Sequence, residues 1–241
     1  MELYGFLSDI KALAGMLYDA NPKDIVSYPA LEDIDFGRGI FLSANGVAQK
    51  KYTDKAVLDL SAYTTSGKDI IVTVNGVAVT TLTTTGTIDD DIDTLVESIN
   101  TEIENVIATA DKTNDKVTID AVTPFELDVE LSYDGSDVTS SKVTSTSDYK
   151  YVGVSVFHQT AFKLTRGIYP KTNPVAVLDM GRIWARVANG ATPVIGVDAY
   201  VTANGDFTTE SSGNTKVGVF QSEKDTSIEA DGIALVDIRK Y

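Results

Sequence analysis

The sequence predicts a mainly β protein: an all-β, barrel-like base interrupted by a small inserted α+β domain. Three observations carry that prediction. Asn-Gly occurs four times, at Asn45-Gly46, Asn75-Gly76, Asn189-Gly190 and Asn204-Gly205; this dipeptide accepts the positive φ angles of tight hairpin turns between short apolar runs. A single internal stretch has a clear helical period. The same stretch holds most of the acidic residues and is bounded by Ser/Thr-rich segments.

In the base, short apolar runs predict strands near 151–157, 175–178, 181–187, 198–202, 216–220 and 233–238. Asp134-Gly135 and Asp231-Gly232 add weaker turn signals. At the N-terminus, Leu3, Phe6, Leu7, Ile10, Leu13 and Leu17 have helical spacing, but Gly5, Gly15 and Pro22 oppose a helix. Periodicity therefore leaves helix and extended arm both open.

The insert, 62–147, has its own logic. Ile70, Ile71, Val72 and Val74, then Asn75-Gly76, then Val77 and Val79 read as a β-hairpin. Ile88, Ile92, Leu95, Val96, Ile99 and Ile103 then fall on one helical face. Thr87 is the expected N-cap, and Asp89, Asp90, Asp91 and Asp93 suit the positive end of the helix dipole. Strands near 106–110 and 117–119 follow. In a last strand Phe125, Leu127, Val129 and Leu131 point inward while Glu126, Asp128 and Glu130 face water. The expectation is a β-β-α-β-β unit whose helix covers one face of one sheet. The segments 61–67 and 139–147 read as linkers. Residues 62–147 hold 16 acidic and 4 basic side chains, leaving 19 acidic and 16 basic for a base made of 1–61 and 148–241.

Composition excludes several function classes. The 241 residues include no cysteine, so neither a disulfide framework nor a thiolate metal site can form. A net charge of -15 opposes binding to nucleic acid or anionic membranes, which require neutralising Lys and Arg. The first twenty residues lack the basic start of a secretory signal, and no apolar run reaches the roughly 18 residues that span a bilayer. Synthesis in the cytosol is expected, with no nucleic-acid or membrane partner.

Several segments resemble one family. Ala12-Leu-Ala-Gly-Met-Leu-Tyr-Asp-Ala-Asn-Pro22 and Ile34-Asp-Phe-Gly-Arg-Gly-Ile40 resemble the N-terminal region of tailed-bacteriophage head decoration proteins, also called structural cement proteins. The resemblance resumes at Val152-Gly-Val-Ser-Val156 and Asn173-Pro-Val-Ala-Val-Leu178. It continues through Gly181-Arg-Ile-Trp-Ala-Arg-Val187, Asp198-Ala-Tyr-Val-Thr202 and Asn214-Thr-Lys-Val-Gly-Val219. All of these lie outside 62–147, and their serial order carries the likeness rather than any one motif. The resemblance implies a non-enzymatic virion protein on the outer capsid surface, bound to the major capsid protein and commonly a homotrimer. It also implies an extended N-terminal arm. Met16, Leu17 and Tyr18 of that arm, with Phe36 and Arg38, become candidate interface residues. The insert departs from the minimal pattern; contact with a host surface is one expectation for it.

Candidate chemistry is sparse, and no cofactor, metal or catalytic residue is expected. The sole histidine, His158, has no partner motif, and a catalytic base or metal ligand needs convergent partners. Ser8 and Lys11 match Ser-x-x-Lys, but the companion motifs are missing. The run Asp89-Asp-Asp-Ile-Asp93 has Thr94 and Asn100 where a calcium loop needs Gly and Glu. An acidic helix start explains it better. The informative segment is 181–187: as a strand it places Ile183, Ala185 and Val187 on one face and Arg182, Trp184 and Arg186 on the other. Trp flanked by Arg has the composition of an interface hot spot, and equally that of a packed Trp with solvated arginines. Rival readings are a phage tail or baseplate component and, from another class, a carbohydrate-binding or hydrolytic surface module.

Overall fold

The computed structural model describes residues 12–18, 24–157, 168–227 and 232–239. In chain order the first elements are β1 (Asp24–Pro29), β2 (Ile34–Asp35), β3 (Gly39–Ser43), β4 (Gly46–Ala48) and β5 (Lys55–Asp59). Next come β6 (Asp69–Val74), β7 (Val77–Ala78), β8 (Leu82–Thr83), α1 (Ile88–Glu102), β9 (Val106–Asp111), β10 (Lys116–Ala121), β11 (Val129–Tyr133), β12 (Ser136–Asp137), α2 (Thr139–Lys142) and β13 (Val143–Thr146). The last are β14 (Lys150–Ser155), β15 (Ile168–Tyr169), β16 (Pro174–Arg186), β17 (Asp198–Val201), β18 (Phe207–Thr208), β19 (Thr215–Phe220) and β20 (Ile233–Ile238). The protein is mainly β, as predicted.

The chain forms two compact units, Met1–Lys51 with Tyr149–Tyr241, and Tyr52–Asp148. The first is built on a sheet of order β18-β17-β19-β20-β16-β14-β3-β4, with β1 also paired to β16. The sheet curls into a half-barrel whose end strands share no ladder, although the Gly39 N–H donates to the Gly205 carbonyl and the Lys51 N–H to the Ala203 carbonyl, each at 2.7 Å. The thirteen-residue β16 is its spine. The first half of β16 pairs with β1 (Tyr28↔Val175, Val26↔Val177) and touches β14 (Val154↔Leu178). The second half pairs with β20 (Ile183↔Val236, Ala185↔Ala234). Alternation along these strands sends Val175, Val177, Ile183, Ala185, Val187, Val236 and Ile238 into the interior. A bulge interrupts the β14–β3 ladder between Tyr151 and Gly153.

The second unit departs from the expected single sheet. Strand β6 pairs with β11 (Ile70↔Tyr133, Val74↔Val129), giving a sheet of order β12-β11-β6-β7 with β8 also on β6. A separate four-stranded sheet runs β13-β5-β10-β9. The boundary expected at residue 62 leaves β5 in the base, whereas β5 pairs with both β10 and β13. Its alternation, with Ala56 and Leu58 buried, fixed which side faces a core but not which core. Residues 52–148 carry 19 acidic and 5 basic side chains, a net of -14, leaving 16 and 15 to the other unit.

One core holds this unit together: Ile92, Leu95 and Ile99 of α1 are fully buried among Leu58, Ile70, Val72, Val117, Ile119 and Leu131. The hairpin at Asn75-Gly76 forms with both residues at positive φ, 51° and 78°. Of the other three Asn-Gly pairs none has its Asn in that region; Asp134-Gly135, ranked lower by sequence, does, at 49° and 77°. Phe125 and Leu127 precede β11, so the alternating stretch is only half strand, though Leu127, Val129 and Leu131 are buried as expected. The ends of the unit meet: Thr146 of β13 lies opposite Lys55 of β5, and the Asp148 N–H donates to Asp54 Oδ1 at 2.9 Å. Side-chain hydrogen bonds to Asp148 and Asp120 raise Lys55 above its ordinary range.

Thr87 occupies the N-cap of α1 but makes no side-chain capping bond. Asp91 does the local work instead. It is 1% exposed, and its Oδ1 accepts from the Thr85 N–H at 2.9 Å and from Thr85 Oγ1 at 2.8 Å. Asp93 pairs with Lys112 at 2.6 Å. Replacing Asp91 by Ala removes both hydrogen bonds to the exposed Thr85, at a net cost of about 0.5–1.5 kcal/mol each. We expect a lower urea midpoint for Asp91→Ala and a smaller drop for Asp91→Asn, which keeps one acceptor oxygen.

Candidate protein-interaction surface

The strand segment singled out by sequence behaves as its alternation requires. Ile183, Ala185 and Val187 are buried, Arg182 is exposed, and Trp184 and Arg186 are half-buried on the opposite face. That second face is covered in part by the chain's own arm. The Gly15 N–H donates to the Trp184 carbonyl at 2.6 Å, the Trp184 N–H to the Met16 carbonyl at 3.0 Å, and the Tyr18 N–H to the Arg182 carbonyl at 3.1 Å. Leu17 bridges Ile183 in antiparallel sense. Residues 12–18 are thus not helical; they turn at Ala14 and Gly15 and then run as an added edge along β16. The indole of Trp184 packs against the group formed by Ala12, Ala14 and Ile233.

Gly15 explains why this stretch leaves the helical course that its apolar spacing favours. Its φ is 76°, and a Cβ there would sit 2.7 Å from Phe157 N and 2.8 Å from Ser155 O. The close approach lets the Phe157 N–H donate to the Gly15 carbonyl at 2.7 Å. Backbone pairing with β14 and β16, which periodicity does not register, decides the conformation.

The remaining candidates divide. Arg186 joins the arm region to the second motif: its Nε donates to the Phe36 carbonyl at 3.0 Å, and its N–H to the Gly37 carbonyl at 2.9 Å. Phe36 is buried and meets Phe157 and Tyr169 edge-on at 5.3 and 5.2 Å. Arg38 turns elsewhere, pairing with Asp206 and lying 3.5 Å from Asp35. At the surface, Tyr18 is 55% exposed with the Arg182 guanidinium 6.0 Å from its ring centre. Met16, Leu17, Tyr18, Arg182, Trp184, Arg186 and Phe36 are therefore one contiguous region, and Arg38 is not part of it. His158, Ser8 and Lys11 lie outside the described residues.

Sequence reasoning passed over two apolar surfaces on the same unit. Val194, Ile195 and Val197 stand 53%, 64% and 40% exposed in the turn between β16 and β17, and Ile25 and Val26 of β1 are 42% and 43% exposed. The signal was present: an apolar run enclosed by Pro193 and Gly196 reads as a turn that cannot bury its side chains. Exposed apolar groups clustered in this way mark contact surfaces more often than singly scattered ones do. No helix among the described residues is long and apolar enough to cross a membrane.

Comparison with known proteins places these features in a family. No curated protein matches the chain. Among solved structures, a chain from Mycobacterium phage Patience aligns over 100% of this chain and 95% of its own, at 13% identity and a TM-score of 0.28. That likeness is too slight to bear on the fold. The family profile described as structural cement protein (E217 gp24/Pam3 gp6) matches residues 97–239. The matched stretch begins within α1 and runs through β20, so it takes in the later half of the acidic unit as well as the strands around Trp184. Over more than half its length, this chain carries the pattern of the phage structural cement proteins, and it belongs to that family.

Proposed function

We propose that the protein binds the outer surface of the major capsid protein lattice and stabilises it, using the unit that contains β16. Family membership makes it a structural protein of the phage capsid, and the match over 97–239 is the observation that carries the reading. The mechanism is linkage. A subunit that binds the assembled lattice and not its dissociated form stabilises the lattice by its binding free energy, and repetition over many sites multiplies modest contacts. Charge supports the choice of unit. The unit holding β16 has a net of -1, whereas Tyr52–Asp148 has -14, so the former approaches other protein at little electrostatic cost. The exposed apolar turn at Val194 and Ile195, and the Tyr18–Arg182 surface, are the proposed contacts with capsid and with sister subunits of a homotrimer. The acidic unit projects outward, where self-repulsion fades beyond a Debye length of about 8–10 Å, and is available to a host surface.

The test is to add purified protein to capsids lacking it and image them by electron microscopy. Density on the outer shell is expected; density confined to the tail, or none, overturns the reading. A Glu126→Gln, Asp128→Asn, Glu130→Gln variant is expected to keep its capsid affinity. A loss beyond about tenfold, or roughly 1.4 kcal/mol, would put the acidic face in the interface.

A further inference from the structure

The unit containing β16 holds a cleft of about 630 Å³ whose lining gathers Lys51, Lys150, Lys216 and Arg239 around a single carboxylate, Asp179. In a chain with 35 acidic and 20 basic residues, that local reversal of sign marks the site. Its volume falls within the roughly 300–1,000 Å³ of ligand-binding pockets. The cations arrive from separate parts of the fold: Lys51 follows β4, Lys150 begins β14, Lys216 lies on β19 and Arg239 follows β20.

The four are not equivalent. Lys216 is 2.8 Å from Asp198 and Arg239 2.8 Å from Asp237. Lys51 and Lys150 are exposed and have no carboxylate partner among the described residues. The cleft therefore offers about two uncommitted ammonium groups, enough for one or two carboxylates and too few to track a phosphate chain, where each bound phosphate takes its own cation. Its walls are also aromatic. Tyr149 and Tyr151 line it together with Phe41. The Tyr151 hydroxyl is buried with no hydrogen-bond partner among the described residues. Burial, with Asp179 nearby, pushes that phenol well above its usual range, so it remains an O–H donor.

We propose that this cleft binds an acidic peptide segment, with carboxylates held by Lys51 and Lys150 and flanking apolar side chains against the tyrosines. The segment belongs to the capsid protein, an assignment that rests on the function proposed above. Tyrosine faces suit a peptide better than a uniform polyanion, because they reward apolar side chains between the charges.

The experiment uses the full chain. Hexaglutamate is titrated by NMR against the wild type, a Lys51→Glu/Lys150→Glu variant, and a Lys171→Glu/Lys224→Glu control of equal charge change outside the cleft. Shifts centred on Lys150, Tyr151 and Lys216 are expected, with affinity lost at least tenfold in the cleft variant and held in the control. Equal loss in both variants, or no binding by the wild type, overturns the site. Tighter binding of heparin or single-stranded DNA at the same residues overturns the peptide assignment. Capsid binding is then measured for all three proteins, and a tenfold loss confined to the cleft variant is expected. If the wild type binds capsids and the cleft variant matches it, the capsid protein is not the source of the segment. If the wild type takes hexaglutamate and ignores capsids, the proposed function fails while the cleft stands.

Discussion

A Gly153→Ala protein is expected to lose about 3–5 kcal/mol of stability in the unit that contains β16, combining backbone strain with overpacking. Gly153 sits at φ 149° in the bulge of β14, and a Cβ there would lie 2.2 Å from the Leu178 carbonyl oxygen and 2.7 Å from Val177 Cγ1. Neither neighbour can retreat cheaply. Leu178 and Val177 are the residues of β16 that hold β14 in register, so relief of the clash means parting the two strands. The sheet path passes through that contact, and its loss leaves β3 and β4 held to the rest chiefly through the Ala30–Val47 bridge beside β1. At about 2–4 °C per kcal/mol for a domain of this size, the thermal midpoint should fall by roughly 6–20 °C. A midpoint within about 2 °C of wild type would mean that the close approach is not maintained in solution.

The second large effect lies in the other unit. Leu95 is fully buried on α1, facing a core made wholly of residues from Tyr52–Asp148. Truncation to Ala removes the transfer energy of the lost methyl groups and leaves a cavity, at a cost of about 2–5 kcal/mol. If the two units fold separately, calorimetry of Leu95→Ala will show one transition moving down by many degrees while the other stays fixed. Gly153→Ala should produce the reverse pattern. A single transition shifted by both variants would show one cooperative body, and the proposed division would fail. The pair is informative because each variant controls for the other.

How much of this was legible beforehand depends on whether the cause is local. The helix was readable because Ile92, Leu95 and Ile99 recur with its own period, and the Asn75-Gly76 hairpin because turn and strands are adjacent in sequence. The two-sheet layout was not. Ile70 to Val74 find Tyr133 to Val129 across the whole of α1, β9 and β10, and alternation identifies a buried face without naming its neighbour. The same limit misplaced β5. Around Trp184, the strand faces could be read, whereas the arm's cover depends on main-chain bonds from Gly15, Met16 and Tyr18 that carry no side-chain signature. The cationic cleft was least visible, since Lys51, Lys150, Lys216 and Arg239 share no spacing and meet only when the sheet curls.

The meeting of Lys55 with Thr146, and of Asp54 with Asp148, bears on the order in which the chain folds. Strand β1 must find β16 across everything between Pro29 and Pro174, a search that ordinarily slows folding of long-range sheets. During synthesis Tyr52–Asp148 emerges complete before β16, β19 and β20 exist, and domains commonly fold as they emerge. Once folded, it holds its own two ends side by side, so the remaining chain experiences a short closed loop in place of about a hundred flexible residues. Loop-closure entropy falls by about 0.6 kcal/mol per halving of length, and four halvings give roughly 2.4 kcal/mol. If it folds first, the acidic unit acts as a clasp during biogenesis, bringing the two halves of the later-forming sheet together before strands from opposite halves have paired.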